Sequence, residues 1–150
     1  MVIEWDNYLW NKECVASEKE VQQTEFELKV KLPSDFLLVA CKNQGKSPEP
    51  SVFNVGKGDD VFNNLLHFKT EGPHKEYGIL ATKKSLANFL SNDLIPIAGT
   101  PGGNYICFQY SEKCEPCVVH VNHEFNITDP RCVTKLSNNF TEFLNGLSDG

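Results

Sequence analysis

The order of apolar and polar positions divides the chain into two halves. In the first half apolar residues recur at helical spacing; from Leu94 onward they alternate. Ile3, Trp5, Leu9 and Trp10, separated by acidic and polar residues, predict a short helix over residues 3–14. Ser17 with Glu20 three positions later forms a capping box, in which serine oxygen and glutamate carboxylate each satisfy a first-turn N–H. A helix is therefore expected from Glu18 to about Val30, closed by Pro33, which biases Leu32 away from helical geometry. Ser34 is placed to cap the next helix, with Asp35 favourable in its first turn. Phe36, Leu37, Val39, Ala40 and Cys41 make that helix apolar on several sides, and Asn43-Gln44-Gly45 stops it, Gly45 being suited to a left-handed terminator. Pro48-Glu49-Pro50 reads as a stiff loop and Ser51 to Val55 as a strand closed by Gly56-Lys57-Gly58. Asp59 or Asp60 is expected to cap a helix through Val61, Phe62, Leu65 and Leu66. Residues 69–78 read as an exposed loop, and Lys83 to Leu90 as a helix.

In the second half, Leu94 to Ala98, Tyr105 to Tyr110 and Cys117 to Phe125 read as three strands. The first two are joined by the glycine-rich turn 99–104, the last two by the hairpin connection Ser111 to Pro116. Short connections between alternating runs indicate an antiparallel meander. Leu136, Phe140, Phe143, Leu144 and Leu147 then form one apolar stripe on a closing helix. The expected fold class is α+β: a single domain over residues 1–150, its meander packed against N-terminal helices and a C-terminal helix.

At 150 residues, 40% hydrophobic and 23% charged, the chain has the composition and length to bury a core. No apolar run is long enough to span a bilayer, and the first residues lack a secretion signal. The net charge is −6, with Arg131 the lone arginine. A nucleic-acid binder carries a basic surplus or stripe, so no direct nucleic-acid contact is expected, whereas a basic protein partner would be attracted. The six cysteines are expected as free thiols in a reducing cytoplasm, since the chain is long enough to fold without staples.

Cys114, Cys117, His120 and His123 have the chemistry of a zinc set. If Cys117 to Phe125 is a strand, however, His120 points away from Cys117 and His123. No metal or other cofactor is expected; Cys114, Cys117 and His123 remain the weak candidates. Cys114-Glu115-Pro116-Cys117 lacks the following helix that lowers a redox cysteine's pKa. No strand-turn-helix presents a nucleophile, and the 99–104 turn joins strands, whereas phosphate cradles end at a helix. No catalytic residue is assigned.

Several segments taken in order resemble the SUKH superfamily, the Smi/Knr-type domain. They are Leu32-Pro33-Ser34-Asp35-Phe36 with Asn43-Gln44-Gly45, Leu94-Ile95-Pro96-Ile97-Ala98 with Gly102-Gly103-Asn104-Tyr105-Ile106-Cys107, His123-Glu124, and Phe140-Thr141-Glu142-Phe143-Leu144. The resemblance spans about residues 17–147. Gln109-Tyr110 and Val121-Asn122 depart from the family's usual acidic positions. The resemblance implies not an enzyme but an immunity-type protein of bacterial kind that binds a cognate toxin domain and masks its active site; it is expected to be cytoplasmic and a monomer or weak dimer. Many such toxins are nucleases, and therefore basic. A regulator or scaffold without a toxin is the alternative, and a small Cys/His metal protein a further one. On this reading partner contacts are expected from Asp59, Asp60, Tyr110, Glu112, Glu115, His123, Glu124, Phe125 and Asp129.

Overall fold

A computed structural model describes residues 2–112 and 115–150. In chain order the elements are β1 (Glu4–Asp6), α1 (Glu18–Leu28), α2 (Ser34–Ala40), β2 (Ser47–Glu49), β3 (Val52–Val55), β4 (Gly58–Val61) and β5 (Asn64–Leu65). A short 3-10 turn (Lys75–Tyr77) precedes α3 (Ile79–Ser85), β6 (Leu94–Gly99), β7 (Tyr105–Gln109), β8 (Cys117–Val121), β9 (Val133–Ser137) and α4 (Phe140–Asn145). The fold is α+β, as expected. Strands β5-β6-β7-β8-β9 form an antiparallel five-stranded sheet, accompanied by the two-stranded pairs β1-β2 and β3-β4.

The central sheet carries apolar residues on both faces. Ile95, Ile97, Ile106, Phe108 and Val118 face the main core, where Phe36 of α2 meets Phe108 and Phe140 edge-on at 5.2 and 5.1 Å. Leu94, Cys107, Val119 and Val121 face a second cluster closed by Leu86, Phe89 and Leu90 beyond α3 and by Cys132. Alternation along each strand produces this division. Pro96 stands inside the sheet, where a proline is normally costly. It is tolerated because β5 pairs only with Ala98 and Gly99 and the ladder shifts register between Pro96 and Ala98.

The Ser17–Glu20 capping box forms as expected, with bonds of 3.0 and 3.1 Å. The helix it starts ends earlier than proline chemistry predicts. Lys29 turns left-handed (φ 61°), and the Glu25 carboxylate accepts the Leu32 N–H at 2.7 Å. In α2, Pro33 occupies the capping position without a side-chain cap, and Ser34 is the first helical residue. Only Phe36 and Ala40 of that helix are buried, and Leu38 is exposed.

Other expectations are corrected. Residues 3–14 form β1 and an irregular strap, because Trp5 pairs with Pro48 of β2 and meets Phe62 edge-on at 5.8 Å. The expected loop Pro48-Glu49-Pro50 supplies β2 to that pairing. Residues 58–61 form a hairpin strand with β3 and no helix, so neither Asp59 nor Asp60 is a helix cap. Strand β8 stops at Val121, short of Phe125, and Leu136 belongs to the unforeseen β9 and not to the closing helix. The third helix is also displaced toward the N-terminus, to Ile79–Ser85. No helix of the described residues is long and apolar enough to cross a membrane.

The strap is fastened by local fits. Gly45 adopts φ +70°, and a Cβ there would stand 2.9 Å from the Trp10 ring. Leu9 donates to the Gly45 carbonyl at 3.1 Å. Gln44, buried beneath, donates to the Cys14 carbonyl and accepts from the Phe68 N–H, at 2.8 and 2.9 Å.

Candidate functional site

One end of the central sheet gathers the β6–β7 turn, the segment after β8 and the β3–β4 hairpin. The turn is closed by Thr100, whose N–H donates to the Asn104 carbonyl and whose hydroxyl accepts the Asn104 N–H, both at 3.0 Å. Gly103 has φ +90°, a left-handed conformation that favours glycine, and it lies against the His123 ring.

Asn104 is the junction. Its amide oxygen accepts from the His123 backbone N–H (3.0 Å) and ring Nδ1–H (2.7 Å), and its amide nitrogen donates to Asp60 Oδ2 at 3.3 Å. The same Asp60 oxygen accepts the His120 Nε2–H at 2.8 Å, and Oδ1 accepts the Val61 N–H at 2.8 Å. Asp60, expected as a partner contact, is thus engaged internally. The His120 side chain is only 5% exposed and lies against Phe53 at 6.0 Å. This carboxylate–imidazole pair holds the hairpin to the sheet; its ring is too deeply placed to meet a substrate.

Residues 122–132 are held by their own polar groups. Glu124 N–H donates to Asn122 Oδ1 at 3.0 Å, and Asp129 N–H to the Asn126 carbonyl at 2.8 Å. Arg131 bonds Asp129 through two nitrogens (3.1 and 2.8 Å) and stacks 4.3 Å above the Phe125 ring. Hydrogen bonds from Arg131 hold the Asp129 carboxyl down at about 2. Asp129 is therefore ionised but already paired. Glu124 and Asp59 are exposed and free of internal salt bridges among the described residues.

The expected contact set does not form one patch. Tyr110, Glu112 and Glu115 lie beyond the opposite end of β7, with Tyr110 roughly 20 Å from Asn104 at about 3.3 Å per residue. Tyr110 donates its hydroxyl to the Lys31 carbonyl at 2.8 Å, and burial pushes its phenol pKa up. It is half-buried against the core. Glu112 and Glu115 are exposed.

The proposed cysteine–histidine group divides as the strand geometry requires. Cys117 faces the Cys107 and Cys132 cluster, His120 faces Asp60, and His123 faces Asn104. Cys114 lies outside the described residues. Among the described residues no three His, Cys, Asp or Glu side chains are grouped to hold a metal ion. Cys14, Cys41, Cys107, Cys117 and Cys132 are free thiols.

Reasoning from sequence missed Asn104 as a junction, though its place after Gly102-Gly103 in a strand turn was the available signal. It also missed a groove of about 450 Å³ beside the turn, whose lining includes Tyr8, Tyr77 and Tyr105. Segments far apart in the chain form that groove, and no local pattern announces it.

A family model described as "SMI1 / KNR4 family (SUKH-1)" matches residues 15–146. No curated protein matches the chain.

Proposed function

Since the chain belongs to the SMI1 / KNR4 family (SUKH-1), a family of toxin-immunity-type domains, we propose that it acts by binding: it neutralises a cognate toxin domain by covering that domain's active site. The observation that carries this reading is the Asp60–Asn104–His123 lock, which fixes three loop segments into one preorganised face. A rigid face loses less entropy on association, so more of its contact energy appears as affinity. Asp59 and Glu124 supply exposed negative charge there, His123 and Phe125 supply contact area, and Asp129 holds Arg131 over Phe125. An overall charge of −6 favours a basic partner such as a nuclease. Free thiols suit the cytoplasm in which such a protein would meet its toxin. Glu112 and Glu115 belong to a separate, secondary contact at the far end of the sheet.

The test is co-expression of the tagged chain with the product of the adjacent gene. A complex that co-purifies, together with growth rescued from that product's toxicity, is the expected result. A complex without toxicity would support the regulator alternative instead. Absence of any complex would remove the immunity reading for that pair.

A further inference from the structure

The groove beside the β6–β7 turn is lined by tyrosines and polar side chains together with Leu66 and Pro101. Tyr8 comes from the strap, Glu76 and Tyr77 from the 3-10 turn, Asn63 from the β4–β5 junction, and Asn104 and Tyr105 from the turn and β7. No Lys, Arg or His lines it. Glu76 is exposed and pairs with no cation among the described residues. Tyr8 and Tyr77 are 54% and 41% exposed. The groove is thus rich in aromatic faces and oxygen acceptors and carries a single uncompensated negative charge.

Its walls are also held in place. Leu9, next to Tyr8, is bonded to Gly45, and Trp10 packs on His67 at 4.9 Å. Asn104 is fixed by His123 and Asp60. Tyr8 precedes the residues that the family model matches, 15–146.

We propose that this groove receives an arginine side chain of the protein partner. A guanidinium offers five N–H donors and no acceptor, and its plane stacks on aromatic rings. Those properties complement tyrosine faces and one carboxylate. A lysine has the charge without the plane, and an anion meets no cation here. A volume of about 450 Å³ holds the side chain together with the backbone that carries it. The inference rests on the protein-binding reading and names the partner group that this face selects.

The experiment is an NMR titration of the full chain with the peptide acetyl-Gly-Arg-Gly-amide at low salt. Amide shifts are expected at Tyr8, Tyr77, Asn104 and Tyr105. The citrulline peptide, equal in shape but uncharged, should bind about tenfold more weakly, and Glu76→Gln should weaken the arginine peptide about fivefold. The dispersion of each variant's spectrum reports whether it is folded. Shifts confined to other acidic surfaces, equal binding of the citrulline peptide, or no change in Glu76→Gln would each overturn the proposal. With a captured partner, undiminished affinity in folded Glu76→Gln and Tyr77→Ala would overturn the groove while leaving the binding reading intact. Failure to capture any partner would count against that reading, and the peptide titration would still decide the groove.

Discussion

Among single residues, His67 is the most constrained titratable group. It is fully buried, and both ring nitrogens are committed. Nε2–H donates to the His74 carbonyl at 2.7 Å, and Nδ1 accepts the Lys69 N–H at 3.0 Å. That arrangement requires the neutral ring. Burial pushes its pKa below the ordinary 6.5; the hydrogen bond to the His74 carbonyl opposes this, the charges of Lys69 and the His74 ring lower it further, and Glu20 raises it. Trp10 from the strap covers it without charge. Because the folded value is depressed, the stability His67 contributes is present above about pH 6.5 and is lost as pH falls through the folded value. Urea unfolding at pH 7.5 and pH 5.5 should therefore show lower stability at the acid point. In His67→Gln that difference should shrink, even though the variant is less stable at both. Equal pH dependence in the two proteins would dismiss His67 as the source. Glu20 and Asp93, whose carboxyls are held below their ordinary values, lose their contributions only at more acidic pH.

At the scale of elements, α1 shows how a local device serves a distant one. Its capping box is made by Ser17 and Glu20, and the same Glu20 carboxylate meets Lys69 at 3.4 Å. The cap thus faces the segment that carries His67. Ser17→Ala removes one reciprocal bond and should cost about 1 kcal/mol of stability, read from the urea midpoint at an unchanged slope. A shift well under half of that would mean that water replaces the cap at no cost. The β3–β4 hairpin teaches the opposite lesson. Asp59 and Asp60 adjoin in sequence and read alike. Strand alternation exposes Asp59 and turns Asp60 inward to His120. Only Asp59 is therefore a clean surface probe, since a lysine at 60 would break the lock as well as change the charge.

For the whole molecule, the net charge of −6 governs encounter. Long-range attraction to a basic partner acts chiefly on the association rate and is screened within about 10 Å at 0.1 M salt. Asp59→Lys combined with Glu124→Lys should slow association about tenfold at low salt and far less at about 0.5 M. Stopped-flow or surface-binding kinetics across a salt series would measure it. An association rate indifferent to both salt and charge reversal would place the interface on another face.

What the sequence determined by itself follows from short-range rules. The capping box needs four consecutive residues. The meander turns need glycine and short connections, and the α+β class needs only the change of period at Leu94. The family resemblance rests on such segments too. What tertiary structure decided lies where local preference is weak and a distant partner outweighs it. Residues 3–14 have helical spacing, yet Trp5 gains more by joining Pro48 and Phe62 than a short isolated helix would provide. Strand β9 lacks a distinctive pattern and exists because β8 offers it an edge. The site was legible as residues but not as a place: His123 and Asp60 were both named, and Asn104 between them was not. Tyr110 and Glu112 were grouped with them although they lie a strand's length away. Hydrogen-bond junctions and grooves join segments tens of residues apart, and only the folded chain brings those segments together.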